Sequence, residues 1–431
     1  MDIEGWIQKS LGEVIKVEGG FAFKSIDFQD SGIPIVRMSD LNSGNLDLEK
    51  SPRIDQSKLK HLSKYELYSG DFLVGMSGSI GNYAIVKDQD LPAYLNQRVG
   101  RFRLFDTDNT DYSFISQVAR SDSYKFYVEM VAAGAAQVNI SPQQIEAFQV
   151  NLPSKSEQEK IAEILSTIDR AIAQTEAIIA KQQRIKTGLM QDLLTKGIDE
   201  NGNIRSEATH KFKDSAIGRI PIEWEVESLD NCVMANAPIC YGILMPGFYY
   251  NAGVPVIKVK DIIGGSIIQD DLLLTDPKID RQYQRSRLLE RDLLITIRGT
   301  TGRVALVPSE LRGANITQDT ARVRLQDDYS KDFFYFLLQS FHVQDQVSLH
   351  TLGQAVKGIN IAELKKIQIS LPPLEEQEMI AQKLNQITIY LRCVQEDLIK
   401  LKQQKTGLMQ DLLTGKVRVT NLLKEREPTS L

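Results

Sequence analysis

Apolar residues in the last quarter of the chain recur at alternating steps of four and three. Ile380, Leu384, Ile387, Leu391, Val394, Leu398, Leu401, Leu408 and Leu412 form one seam, interrupted only by Lys405. A heptad sustained over more than four repeats predicts a helix committed to coiled-coil pairing. The same seam runs earlier through Ile161, Leu165, Ile168, Ile172, Ile179, Leu189 and Leu193, with Thr175, Gln182 and Lys186 at its remaining positions. Pro153 and Pro372-Pro373 precede the two helices, where a missing N–H costs nothing. Some 40 residues at ~1.5 Å each make a rod of roughly 60 Å.

Outside the rods the pattern changes to short β-like runs separated by Gly, Ser, Asp and Asn clusters. In residues 1–150 these runs are Ile33–Met38, Phe72–Val74, Tyr83–Val86, Val99–Leu104 and Phe148–Leu152, with helices near Tyr112–Ala119 and Tyr124–Val131. Residues 223–370 repeat the arrangement with Pro255–Val259, Leu293–Ile297, Val304–Val307, Ala321–Leu325 and a helix near Lys331–Phe341. This predicts two α+β lobes, each with a mixed or largely antiparallel sheet.

The resemblance between the halves is literal in places. Lys186-Thr187-Gly188-Leu189-Met190-Gln191-Asp192-Leu193-Leu194-Thr195 recurs letter for letter at Lys405 to Thr414, an offset of 219. The same offset relates Glu157-Gln158-Glu159 to Glu376-Gln377-Glu378. Ser77-Gly78-Ser79-Ile80-Gly81 parallels Arg298-Gly299-Thr300-Thr301-Gly302 at an offset of 221, and the only tryptophans, Trp6 and Trp224, sit near the two lobe starts. A repeat this long is duplication of a whole domain rather than a solenoid. The plan is a lobe (1–150), a helix (151–196), a linker (197–222), a second lobe (223–370), a second helix (371–416) and a tail (417–431).

Connectivity then selects a direction. The second lobe joins the end of the first helix to the start of the second. A parallel pair would require that lobe to span about 60 Å, whereas a 150-residue domain has a radius of gyration of only ~15 Å. The expectation is an antiparallel coiled coil with pseudo-two-fold symmetry and a lobe at each end.

Composition adds constraints. The net charge is −5 and the pI about 5.6, so a nucleic-acid role requires basic residues gathered on one face, or a partner that supplies phosphate contacts. Three cysteines without a CxxC, an N-terminus unlike a signal peptide and no long apolar run predict a bacterial cytoplasmic protein without a membrane span. There is no phosphate-binding GxxxxGK[ST] loop, no GxSxG elbow and no metal-spaced His/Cys cluster. A duplicated chain without catalytic chemistry reads as a binding module and not an enzyme.

Candidate DNA contacts lie on three features. The glycine-flanked loops carry Ser77, Ser79, Arg298, Thr300 and Thr301, where a hairpin turn is the plain reading and close approach to DNA the functional one. A shared polar stretch offers Tyr94, Asn96, Arg98, Asn315 and Thr317, since amides suit adenine and arginine suits guanine or phosphate. Arg101, Arg103, Arg322 and Arg324 alternate along strands, fit either for phosphate contact or for a solvated face. On the rods, Lys186, Met190, Gln191, Lys405, Met409 and Gln410 belong to the duplicated block. Its lysines either snorkel to solvent or mark a repeated docking surface for another protein.

The blocks Leu152-Pro153 with Glu157-Gln158-Glu159, and Leu371-Pro372-Pro373-Leu374-Glu375-Glu376-Gln377, each lead into a heptad helix ending Gly-Leu-Met-Gln-Asp-Leu-Leu-Thr. With Thr414-Gly415-Lys416-Val417-Arg418-Val419 and Ile220-Pro221-Ile222-Glu223-Trp224, they closely resemble the specificity subunits of type I restriction-modification systems across essentially the whole chain. The resemblance implies two target recognition domains, each reading one part of a split DNA site, with the helices setting the gap. It implies double-stranded DNA, two adenine-N6 methyltransferase subunits and translocase/endonuclease subunits as partners. No cofactor is expected in this chain; S-adenosylmethionine, ATP and Mg belong to those partners. Rival readings are a coiled-coil adaptor without a DNA role, a DNA-mimicking inhibitor, which would show denser carboxylate rows, and the specificity part of a single-chain restriction-methylation enzyme, which would need catalytic motifs.

Overall fold

The computed structural model describes residues 5–78, 80–133, 139–351 and 358–424. The chain divides into two units, Met1–Glu176 with Asp397–Leu431, and Ala177–Glu396. Two helices of about 40 residues, Lys155–Thr195 and Leu374–Leu413, each begin in one unit and end in the other. The heptad seam is what they bury: Ile161, Leu165, Leu193, Ile380, Leu384, Leu391 and Leu412 are buried, and the other seam residues are half-buried.

In the first unit a four-stranded antiparallel sheet runs in the order Ile15–Gly19, Val99–Leu104, Phe72–Gly75, Tyr83–Ile85. Beside it, Ile33–Val36 pairs antiparallel with Arg53–Ile54 and parallel with Tyr94–Leu95. Ile7–Ser10 pairs with Gln149–Leu152, bringing the lobe's two ends together at the foot of the first long helix. The lobe helix Tyr112–Val118 is N-capped by Asp111, whose carboxylate accepts from the Phe114 amide at 2.7 Å. Its Phe114 and Ile115 pack with Phe72 and Phe102 of the sheet and with Ile161, Leu165 and Leu412 of the long helices, one core shared by lobe and rods. Glu157 meets Arg418, Asp169 meets Lys405 and Glu176 meets Lys402, so within this unit one helix ascends as the other descends.

The second unit repeats the plan. Its sheet runs Cys240–Tyr241, Thr320–Val323, Leu293–Thr296, Val304–Leu306. Val254–Ile257 again has one antiparallel neighbour, Leu273–Thr275, and one parallel neighbour, Asn315–Ile316. Glu225–Ser228 pairs with Gln368–Leu371. Phe333, Phe334 and Phe336 of the lobe helix Lys331–Leu337 join Trp224 and, from the long helices, Leu193, Leu194, Ile380 and Leu384 in one core. The stretch 197–222, read from sequence as a linker, is structured here: Phe212–Ser215 and Gly218–Pro221 form a hairpin, and Ile198 and Ile220 enter the core.

The duplicated Glu-Gln pair has a defined job in both units. Gln158 accepts from the Asp111 amide at 2.9 Å and donates to the Pro153 carbonyl at 2.8 Å. Gln377 accepts from the Ser330 amide at 3.0 Å and donates to the Pro372 carbonyl at 2.9 Å. Each glutamine thus fixes the lobe helix to the foot of a long helix. The glutamate beside it is buried and takes an arginine from the segment that follows the other long helix. Arg418 reaches Glu157 at 2.7 and 2.9 Å and lies over the Trp6 ring at 5.7 Å. Arg205 reaches Glu376, whose second oxygen also accepts from Trp224 Nε1 at 3.1 Å. Gly197, at φ +65°, passes so close that a Cβ there would lie 2.2 Å from the Glu376 carboxylate.

Removing one partner of a buried pair leaves an uncompensated charge, which costs roughly 3–5 kcal/mol. Arg205→Ala therefore strands Glu376 and is expected to destabilise the chain by about that amount in urea unfolding. Arg219→Ala, whose partners Glu207 and Asp214 are exposed, is expected to stay within about 1 kcal/mol.

Candidate nucleic-acid interface and docking faces

The arginines that alternate on the strands spend their charge inside the lobes. Arg101 is 2% exposed; it bonds Glu18 at 2.9 Å, Asp71 at 3.3 Å and the Glu66 and Lys64 carbonyls. Arg103 lies partly exposed beside the same two carboxylates. Arg324 forms a bidentate pair with Asp292 at 2.6 and 2.7 Å, and Arg322 is buried and donates to the Pro238 carbonyl. Alternation was legible; the acids waiting on the neighbouring strand and turn were not, because they are distant in sequence.

The shared polar stretch divides likewise. Tyr94 packs with Ile35, Ile54 and Leu59. Asn315 is fully buried: it accepts from Ser286 Oγ at 2.8 Å and donates to Asp280 at 2.8 Å. Thr317 is buried and Asn96 half-buried. Arg98 is exposed, on the turn between Tyr94–Leu95 and Val99–Leu104. In the glycine loops Ser77 is buried, Arg298 and Thr300 are exposed, and Thr301 is half-buried. Ser79 lies outside the described residues. Arg298 donates to Gln318 at 3.4 Å, which ties the loop tip to the neighbouring turn. Arg98, Arg298, Thr300 and Thr301 thus remain presented to solvent. The roots beneath are alike in both lobes: a Cβ on Gly20 would sit 2.2 Å from the Leu95 carbonyl, and one on Gly242 1.9 Å from that of Ile316.

On the long helices, the two equivalent lysines take different partners. Lys405 bonds Asp169 at 2.7 Å. Asp169 also takes a bidentate pair from Arg120 at 2.8 and 2.9 Å and a bond from Gln117 at 3.0 Å. Lys186 instead lies over the Phe336 ring at 5.9 Å, and burial pulls its pKa down. The repeat explains the exchange, since Gln117 and Asp169 correspond at an offset of 219 to Phe336 and Thr388. Met409 and Gln410 line a groove of about 930 Å³ with Arg120, Asp169, Lys402 and Lys405. Met190 is half-buried and Gln191 exposed.

No group of metal-ligating side chains occurs among the described residues, and none of their helices is long and apolar enough to cross a membrane. A family model described as the type I restriction modification DNA specificity domain matches residues 3–183 and 247–403. The chain belongs to this family. Two members similar to it are the EcoBI specificity subunit of Escherichia coli, 27% identical across 96% of this chain and 86% of that one, and a putative MjaX specificity subunit of Methanocaldococcus jannaschii, 28% identical across 96% and 94%. In fold the chain is similar to the crystal structure of a type I restriction-modification S subunit from M. genitalium, with a TM-score of 0.60, 15% identity and coverage of 96% and 98%. A chain from a type I system studied for complex assembly and conformational transition aligns with a TM-score of 0.55 at 18% identity over 95% and 98%. The family's role is DNA sequence specificity, which leaves the adaptor and DNA-mimic readings without support. The Trp–Glu–Arg closure was missed in the sequence reading, although the paired tryptophans and the repeated Glu-Gln were its visible signal.

Burial works to raise the Asp169 pKa, but the bonds from Arg120, Gln117 and Lys405 outweigh it, and the net shift is downward. A depressed carboxylate contributes stability above its unfolded value near 4 and loses it as pH falls through the folded value. Asp169→Asn is expected to cost roughly 1–3 kcal/mol near neutral pH. Melting curves of the variant and the natural chain should converge as pH drops below about 4.

Proposed function

We propose that this chain is the non-catalytic subunit that reads a bipartite, asymmetric DNA target, one half per lobe, and directs adenine methylation and cleavage by partner subunits. One observation carries the reading: two lobes built on the same buried framework carry different residues at their exposed tips. The buried Glu–Arg pair with a tryptophan beside it, the helix-fixing glutamines and the strand order repeat. At equivalent positions the first lobe exposes Arg98 where the second has the half-buried Asp319, and the second exposes Arg298 where the first has the buried Ser77. Identical frames with different tips suit two half-sites of different sequence. Helices that run in opposite senses suit half-sites read in inverted orientation. Two linked readers gain affinity only where both fit one duplex at once, so the long helices act as the ruler for the gap.

The chemistry in this reading belongs to the partners: two adenine-N6 methyltransferase subunits using S-adenosylmethionine, and translocating nuclease subunits using ATP and Mg. Their basic surfaces would share the phosphate contacts that a chain of net charge −5 supplies sparingly. The duplicated block fits docking of the methyltransferases. Gly188 and Gly407 sit inside long helices, where glycine costs about 1 kcal/mol relative to alanine. A Cβ at either would meet nothing within 4 Å, so the chain's own packing does not require them. Close approach of a partner at Met190 and Gln191, and at Met409 and Gln410, gives both glycines a purpose. Ile178 and Ile185, exposed one heptad apart, offer apolar surface for a partner helix.

The test is to co-express the chain with the methyltransferase encoded beside it and map the methylated adenines. One split motif is expected. Replacing residues 1–150 with those of another family member should change one half of the motif and leave the other intact. An unsplit motif, or simultaneous change in both halves, would contradict the reading.

A further inference from the structure

One loop of the second lobe exposes more large apolar side chains than its counterpart in the first. The loop from Tyr241 to Tyr250 exposes several large apolar side chains: Phe248 is 96% exposed and Met245 82%, with Leu244, Tyr249 and Tyr250 also open to solvent. Several large apolar side chains exposed on one short loop point to an interaction site. The corresponding loop of the first lobe holds its phenylalanines more closely, although Phe21 is 37% and Ile26 88% exposed there. Phe23 and Phe28 pack on the cluster of Ile35, Ile54, Leu59 and Tyr94, and Phe21 rests against Phe23 and Tyr65 at 5.0 and 5.6 Å.

The backbone of this loop is held firmly. The Ile243 amide donates to the Ile316 carbonyl at 2.7 Å, Thr275 Oγ1 to the Pro246 carbonyl at 2.6 Å, and the Tyr250 amide to the Leu274 carbonyl at 2.8 Å. Gly247, at φ +73°, lies against Ile279 of the short helix Pro277–Gln282. Exposed aromatics on a pinned backbone contribute contact area without the entropic cost of ordering a loop.

The same segment supplies positive charge. Lys278, Arg281 and Arg285 are exposed, and none has a carboxylate partner among the described residues; Arg285 lies over the Tyr241 ring at 5.6 Å. The acids beside them are occupied: Asp276 caps the helix, and Asp280 is buried against Arg287 and Asn315. Apolar and aromatic side chains flanked by unpaired cations match a polyanion whose duplex groove presents thymine methyl groups between its phosphates. An apolar protein partner would leave three charges unmatched.

We infer that Tyr241–Tyr250 is a DNA-reading element of the second lobe, with Met245, Phe248 and Tyr249 meeting bases and Lys278, Arg281 and Arg285 meeting phosphates. This rests on the proposed reading of a split site, and it makes the two lobes unlike in method: apolar and aromatic contacts carry more of the reading in the second lobe than in the first.

The test uses the full chain co-purified with its methyltransferase. Because their side chains are exposed, Phe248→Ala and Tyr249→Ala should leave the melting temperature unchanged. Methylation mapping should show at least a tenfold loss of preference at letters of one half-site, with the other half unaltered. Arg281→Gln with Arg285→Gln should weaken binding without changing the letters, and should lower the slope of log affinity against log salt by about 2. Unchanged letters and unchanged affinity in these variants would overturn the inference. So would loss of the methyltransferase from the complex with letters intact, which would make the loop a protein dock. If the natural complex itself yields no split motif, the underlying reading fails first, and the two failures are distinguished.

Discussion

Each unit is closed by a buried carboxylate at the foot of one long helix that is neutralised by an arginine arriving after the other. Glu157 is 1% exposed and waits for Arg418, 261 residues later; Glu376 is 5% exposed and waits for Arg205, 171 residues earlier. An unpaired carboxylate so placed is costly, so neither unit is complete until the far segment has returned. That closure lets two lobes distant in sequence be built as equivalent objects, each seated on the beginning of one helix and the end of the other. Long-range pairing of this kind carries a loop-closure cost that the local contacts within a heptad helix do not.

From that constraint the division of labour follows. Residues that repeat between the halves are those the framework needs: the tryptophans over or beside the clamp, the glutamines that cap a lobe helix from below, and the glycines at the loop roots. Among the residues that differ, Arg98 and Arg298 lie on exposed turns, and Met245 and Phe248 lie in the loop of exposed aromatics. The Asp169 cluster and the Lys186–Phe336 contact show that even the seam is not strictly symmetric. A charged knot in one unit and an aromatic contact in its counterpart occupy corresponding positions, so a framework can be conserved in shape while its chemistry changes.

Much of this was legible in the chain itself. The helices expected over 151–196 and 371–416 are Lys155–Thr195 and Leu374–Leu413, and strands such as Val99–Leu104 fall where the alternation placed them. Heptads and alternation are local signals, strong because burial on one face enforces them. Partner choice is not local. Arg101 and Arg98 look alike in sequence, yet one lies between Glu18 and Asp71 and the other faces solvent. Asn315 suited adenine on paper and proves to be a fully satisfied core amide, because Ser286 and Asp280 meet it from a segment some 30 residues away. The two-residue strands and the pinned loop near Phe248 carry too few residues for any periodicity to show.

In the proposed reading, the paired long helices set the distance between two independent acts of reading. Its most direct test inserts four residues, one helical turn, into the middle of both helices at matched heptad positions. The added rise is about 6 Å, close to two base-pair steps. Methylation mapping of the altered complex should return the same half-site letters separated by a gap about two base pairs longer. Altered letters with an unchanged gap would contradict the account.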